Sequence, residues 1–420
     1  MNLNQRVIAE AKKFLQHCVQ KIPASSSAVE QQRYISEQIV EKVSEAQRLL
    51  IKKLFRLFLD TMRQKEASDM DFGGMGACEN LWLRIHGNKF PLPELGSYSP
   101  DEADILIQIL LSDKERTILL KKRSYDFSYV VSDANNQMMR YRASVYFELD
   151  HISISLRAIN MTIRPYPSYK FHPLVTKIFS LAYTKEGLIL ITGITGSGKS
   201  TTLDAIVDLN NQTVNAHIVI IASPVEYVHT SQKCIIKHRE VGSDTQSFEL
   251  GAQEALRQDP DIIIIGEMRD PETIMTALEV ADSGHKVFST LHTSSAVESI
   301  DRIVGEMSAI EQERVRHRLA DVLRCVVSQK LVPSTSGRRI LAKEIMVMTP
   351  SVRAAIKNGN VSEIYQMISE GSEYGMNTLE QDLLRLQKSR QISMQTALNF
   401  ANNKRRMQQL LHDKLLLRTM

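Results

Sequence analysis

Four short apolar runs, Gly187–Ile191, His217–Ala222, Asp261–Ile265 and Lys286–Thr290, recur through the middle of the chain with amphipathic stretches between them. Strands apolar on both faces predict a parallel sheet covered by helices, an α/β core. Upstream the pattern alternates instead. Ala67–Phe72, Leu81–Ile85, Tyr125–Val131, Tyr141–Phe147 and Ile152–Ala158 read as strands, with a turn at Gly87-Asn-Lys-Phe90. Ser99-Pro-Asp-Glu102 starts a helix, Ser99 capping it, Pro100 fitting the first turn and Glu102 reaching back. At the N-terminus Tyr34, Ile39, Val43, Ala46, Leu50, Leu54 and Phe58 recur at helical spacing, after a break at Pro23–Ser27. This divides the chain into a helical extension at 1–64, a small α+β domain at 65–164, a proline-stiffened linker at 165–173, the core at 174–345 and a helical region at 346–420.

Composition changes this picture little. The 420 residues, 43% hydrophobic and 24% charged, are those of a soluble globular protein. No apolar window has the length of a membrane span, and the first residues lack the apolar core of a secretory signal. Cys18, Cys78, Cys234 and Cys325 lie far apart without metal-ligand or redox spacing, as expected of free thiols in a reducing cytosol. A net charge of +4 and the basic run Asn402–Arg406 specify no partner.

The chemistry begins where the first core strand ends, at Gly193-Ile-Thr-Gly-Ser-Gly-Lys-Ser200. Three glycines let successive backbone N–H groups surround an anion, and a helix starting near Lys199 adds its unpaired donors and positive dipole end. The spacing G-x-x-x-x-G-K-S predicts a nucleoside triphosphate site. Gly193, Ile194, Thr195, Gly196, Ser197, Gly198, Lys199, Ser200 and Thr201 hold the nucleotide, Lys199 reaches the β/γ-phosphates, and the Ser200 hydroxyl ligates Mg²⁺.

A second signal follows the third core strand. Glu267 stands at the carboxyl edge of the sheet, where ligands bind in such folds, and is placed to orient water or hold Mg²⁺. Arg269 and Asp270 read as an ion pair and as the cap of the next helix. His285 and His292 flank the fourth strand and are read as facing the same edge. An arginine must neutralise the departing phosphate. Arg140, Arg142, Arg157, Arg239 and Arg257 all qualify by type, and spacing does not choose among them.

Taken together, GITGSGKST, ALRQDPDIIIIGEMRDPET and SGHKVFSTLHTSSA resemble the secretion ATPase superfamily, and within it the type IV pilus retraction (twitching motility) ATPases. The segments ASDMDF (67–72), MRYRASVY (139–146), QKLVPS (329–334), TPSVRAAI (349–356) and GMNTLEQDLLRL (375–386) extend the resemblance over roughly 65–401. It implies a RecA-like core with a PAS-like N-terminal domain, forming a cytoplasmic homohexamer. ATP with Mg²⁺ would lie at subunit boundaries, and hydrolysis would remove pilins from the pilus base. Partners would be an inner-membrane platform protein and a paralogous ATPase, holding the ring at the cytoplasmic face of the inner membrane, with no direct nucleic-acid partner. Residue by residue, the resemblance gives Lys199 and Ser200 phosphate and Mg²⁺ roles and Glu267 the catalytic and metal role. Glu226 is the surviving acid of an acidic box, Arg142 and Arg157 are donated arginines, and His292 is the histidine box. One departure stands out: family members show Glu-Asp-Pro-Ile/Val-Glu where this chain has Ala222-Ser-Pro-Val-Glu226, which predicts slow hydrolysis. A conjugation or type IV secretion ATPase, a nucleotide-binding regulatory subunit and a nucleic-acid translocase are the rival readings.

Overall fold

The computed structural model describes residues 3–23, 28–132, 138–159 and 162–419. The chain forms two compact units that divide between residues 161 and 162. Of the break expected at Pro23–Ser27, residues 24–27 lie outside the described residues.

The first unit contains an antiparallel sheet of β1 (Asp69–Gly73), β2 (Trp82–Ile85), β3 (Asn88–Pro91), β4 (Ser124–Ser132), β5 (Met138–Glu148) and β6 (His151–Ala158), in the order β3-β2-β1-β6-β5-β4. Alternation sorts its residues. Met70, Phe72, Leu83, Ala143, Val145, Ile154 and Leu156 are buried on one face, while Asp69, Asp71, Arg84, Arg142, Ser155 and Arg157 fall on the other. The stretch Gly87-Asn-Lys-Phe90, expected as a turn, is mostly strand. The turn is the two residues His86 and Gly87, both with positive φ (49° and 91°), as a tight hairpin requires.

The N-terminal helices share the core of this sheet. The stretch expected as one long helix is interrupted by a π turn at Ile35–Ile39 and restarts at Ser44, whose side chain caps the helix Glu45–Gln64 in a box with Gln47. The restart rotates the buried face away from Ala46 and Leu50 to Ile51, Leu54, Phe55, Phe58, Leu59 and Met62. Phe58 sits 5.6 Å from Phe72 and 5.9 Å from Tyr98 between ring centroids. The helices therefore supply more than a third of this unit's buried core residues. Phe58→Ala should cost about 3–5 kcal/mol, read as an earlier denaturant midpoint; a cost near zero would mean the helix is not part of the cooperative unit.

The second unit is built on seven strands, β7 (Gly187–Thr192), β8 (His217–Ala222), β9 (Ile235–Glu240), β10 (Ile262–Ile265), β11 (Lys286–Leu291), β12 (Leu323–Pro333) and β13 (Arg339–Val347). Their order is β13-β12-β7-β11-β10-β8-β9, parallel throughout except for β13. Both faces are covered. Ile189, Ile191, Ile262 and Ile264 pack with Leu203, Ile206 and Val207 of the helix Lys199–Thr213. Leu188, Leu190, Ile263 and Ile265 pack with helices Phe248–Ala255, Pro271–Asp282, Ala296–Gly305 and Gln312–Val322. This is the doubly covered parallel sheet that the apolar runs predict.

Three strands are not evident in the sequence pattern. The β9 run ends in Lys237-His-Arg-Glu240, and β12 and β13 carry Arg324, Gln329, Lys330 and Lys343 inside otherwise apolar stretches. Partners satisfy those interior polar groups: Gln329 bonds Thr202, and Lys343 Nζ donates to the Tyr169 carbonyl at 2.9 Å. The proline-rich stretch before the core also packs, rather than merely connecting. Tyr169 is buried and its hydroxyl donates to the Thr201 carbonyl at 2.9 Å, on the first turn of the helix Lys199–Thr213. The C-terminal helices Leu379–Lys388, Met394–Phe400 and Lys404–Thr419 form a third apolar cluster with Val332 and Ala342. No helix among the described residues is long and apolar enough to cross a membrane.

Candidate functional site

β7 ends at Thr192 and the chain turns sharply into the helix Lys199–Thr213. Gly193 has φ +147°, and a Cβ there would meet Ser197 Oγ at 2.3 Å and the Gln329 carbonyl at 2.5 Å. Only glycine lets β12 close against this loop. Gly198, immediately before the helix, has φ +91°. The loop Ile194-Thr195-Gly196 is exposed, whereas Ser197 and Lys199 are buried beneath it.

Lys199 Nζ donates to the carbonyls of Gly193 at 2.8 Å and Ile194 at 3.4 Å, so its ammonium is folded back inside the loop. Burial pushes its pKa below the usual lysine value, while the charges of Glu267 and Glu226 pull it back up. Lys199, Glu267 and Glu226 thus converge electrostatically although 27 and 68 residues separate the lysine from the two acids in sequence. Ser197 Oγ is buried and has no hydrogen-bond partner. A buried hydroxyl left unpaired beside a ring of backbone amides is what a phosphate oxygen would satisfy. Ser200 is half-buried at the head of the helix, and Thr201 is exposed with its carbonyl bound to Tyr169.

Glu267 follows β10 and Gly266, at the carboxyl edge of the sheet. Gly266 N–H donates to the Ile221 carbonyl at 2.8 Å, and Thr290 Oγ1 donates to the Gly266 carbonyl at 2.7 Å, fixing the turn between β8 and β11. The Glu267 side chain is only 13% exposed, with Arg269 Nη2 at 2.6 Å from one oxygen and His292 Nε2 at 3.5 Å from the other. Arg269 therefore pairs with Glu267 and not with Asp270. Asp270 caps the next helix, its carboxylate accepting from Thr273 N–H at 2.8 Å. The two histidines part company. His292 follows β11 at the carboxyl edge, but His285 precedes β11 at the amino edge and bonds Ser283 Oγ at 2.9 Å. Six strand residues, about 20 Å, lie between them, so His285 leaves the candidate site.

Glu226 is exposed beyond the end of β8, and nearby Ala222 is half-buried and Ser223 exposed, with no carboxylate to offer. Glu240, which the sequence pattern did not single out, ends β9 in register with Ala222, and its carboxylate accepts from Val225 N–H at 3.0 Å. It shapes the loop that carries Glu226. Gln329 was likewise missed, since its contribution to the phosphate loop is a carbonyl, which leaves no mark in the side-chain pattern.

The arginines also sort by geometry. Arg239 is committed to Glu254 at 2.6 Å and the Asp244 carbonyl. Arg257 lies exposed in a short turn after the helix Phe248–Ala255, and Arg140 donates to Ser128 Oγ at 3.1 Å. Arg142 and Arg157 face each other across β5 and β6 in the first unit, lining a cavity of about 280 Å³ with Asp69, Asp71 and Lys89. Arg157 Nε donates to Asp69 at 2.7 Å. In the same unit Asp101, Asp104 and His151 come together, but both Asp104 oxygens are used by Ile152 N–H, His151 and Gln32, and the group reads as a structural knot.

The profile of the type II/IV secretion system protein family matches residues 153–399, more than half of the chain. The chain belongs to that family. Among its relatives are the twitching motility protein of Neisseria gonorrhoeae, 36% identical over 324 residues (76% of this chain and 84% of that one), and the type IV pilus retractation ATPase PilT of Pseudomonas aeruginosa, 39% identical over 300 residues (71% and 84%). The crystal structure of the pilus retraction motor PilT with bound ADP superposes with a TM-score of 0.76 at 34% identity, covering 84% of this chain and 98% of that one. The seven-stranded sheet and the phosphate loop described above fall inside the matched region.

Proposed function

We propose that this family member is an ATPase whose hydrolysis cycle drives retraction of a type IV pilus, assembled as a homo-oligomeric ring. The observation that carries the reading is the convergence of an intact phosphate loop, Gly193–Ser200, with Glu267 at the same sheet edge. Similarity at 36–39% identity to a twitching motility protein and to a pilus retraction ATPase supports the choice of work.

The chain's own residues divide the chemistry. Backbone amides from Gly193 to Ser200 and the unpaired Ser197 hydroxyl bind the phosphates. Lys199 exchanges its two loop carbonyls for phosphate oxygens, giving up neutral acceptors for anionic ones. Glu267, anchored by Arg269 and beside His292, orients the attacking water and accepts its proton. Ser200 and Glu267 present the oxygen ligands that Mg²⁺ prefers and would hold it. The ion, when bound, neutralises charge on the phosphates. Arg142 and Arg157, on the polar sheet face of the first unit, are the arginines we assign to a nucleotide of a neighbouring subunit. A membrane platform protein at the pilus base is the partner on which the ring would act.

Ala222 and Ser223 favour a second reading, a ring component that binds nucleotide and hydrolyses it weakly. Deleting the gene in its host tests the retraction reading, and the turnover of the purified protein tests the second. A retraction motor leaves surface pili in excess and abolishes twitching; a strain with normal pili, normal twitching and lost conjugative transfer would overturn the proposal.

A further inference from the structure

β12 runs past the phosphate loop. It pairs with β7 up to Ser328 and Thr192, sets the Gln329 carbonyl against Gly193, and continues to Pro333 before turning into β13. The tip of this hairpin closes a cavity of about 340 Å³ with the turn that follows the helix Leu379–Lys388. Five residues separate Gln329 from Ser334, about 17 Å of extended chain, so this cavity is remote from phosphates bound at Gly193–Ser200.

The two loops are pinned to each other by backbone. Thr335 N–H donates to the Gln391 carbonyl at 2.9 Å and Thr335 Oγ1 to the Arg390 carbonyl at 3.0 Å. Within the hairpin, Ser334 N–H and Ser334 Oγ both donate to the Arg338 carbonyl at 2.7 Å. Arg390 is held at φ +58°, a conformation that favours glycine. Around this frame stand Arg338, Arg339 and Arg390, with the hydroxyls of Ser334 and Ser336. No carboxylate lines the cavity, and among the described residues none of the three arginines has an ion-pair partner. Elsewhere in this unit Arg302, Arg318 and Arg353 are each paired with an acid.

Three like charges gathered without a counter-charge repel one another, and an anion removes that cost. Guanidinium forks suit phosphate oxygens bidentately, and the Ser336 hydroxyl can add a donor. We propose that this cavity binds a phosphate-bearing ligand at a site separate from the nucleotide loop. The phosphate belongs either to a soluble phosphate compound or to a phospholipid headgroup.

The test uses the full-length protein with excess ADP, so that the phosphate loop is filled. One arm titrates inorganic pyrophosphate by calorimetry. The other floats the protein with phosphatidylcholine vesicles, with and without phosphatidylglycerol. Binding in the first arm assigns a soluble ligand, and binding only to phosphatidylglycerol vesicles assigns a headgroup. The double variant Arg338→Gln/Arg390→Gln should lose about tenfold or more in the arm that binds. Its unfolding midpoint should not fall, because both side chains are exposed and the change relieves their repulsion. Arg338→Lys/Arg390→Lys keeps charge without the fork and should recover only part of the affinity. Wild-type protein binding in neither arm, a glutamine variant binding like wild type, or a lysine variant indistinguishable from it would each overturn the proposal.

Discussion

Glu267→Gln should lower ATP turnover by about 10²–10⁴-fold while nucleotide affinity changes little. Glutamine keeps the shape of the side chain but cannot accept a proton and carries no charge. The frame around Glu267 survives the change, namely the Gly266 turn between β8 and β11, the Thr290 hydroxyl beneath it and His292 on its other flank, while the Arg269 ion pair becomes a hydrogen bond to a neutral oxygen. The loss should therefore appear in kcat, with ADP binding measured in parallel remaining close to wild type. Turnover within a few-fold of wild type would remove Glu267 from the chemistry. The phosphate loop would then act with some other base.

Restoring a carboxylate with Ala222→Glu should raise turnover by about 10–100-fold at saturating Mg²⁺. Ala222 ends β8, and its Cα lies 3.3 Å from where a Cβ on Gly266 would be, so a glutamate there enters beside Glu267. Two neighbouring carboxylates repel unless a cation lies near them. The gain should consequently vanish when Mg²⁺ is chelated, and the variant should then be less stable than wild type. A purified wild-type protein already as fast as relatives with an intact acidic box, together with an unresponsive Ala222→Glu variant, would sink the idea that the altered box slows this enzyme.

How far the sequence reached depended on the kind of interaction. Ser99 capping a helix through Glu102 and Asp270 capping the helix at Pro271 were legible because donor and acceptor lie three residues apart. The same holds for the four apolar core strands, whose burial on both faces writes an unbroken run into the chain. The long N-terminal helix was legible as helix but not in its buried face, because the π turn and the restart at Ser44 shift the phase of the pattern. β9, β12 and β13 were hidden by polar residues that only distant partners satisfy, Lys343 by Tyr169 and Gln329 by Thr202.

The site divides in the same way. By itself the sequence determined the phosphate loop, since three glycines, a lysine and a serine at set spacing are enough to specify a strand, a turn and a helix N-terminus. It also determined that Glu267 follows a buried strand. Only the tertiary structure decided the company these residues keep. Strand order brings β8, β10 and β11 to one edge, where Glu226, Glu267 and His292 follow them, while strand direction sends His285 to the other edge. It directs Arg269 to Glu267, ties Arg157 to Asp69, and leaves Ser197 Oγ buried without a partner. The physical reason is separation along the chain. Backbone conformation answers to neighbours a few residues away, but a charge or a hydroxyl acquires its role from groups that the sheet order alone brings near.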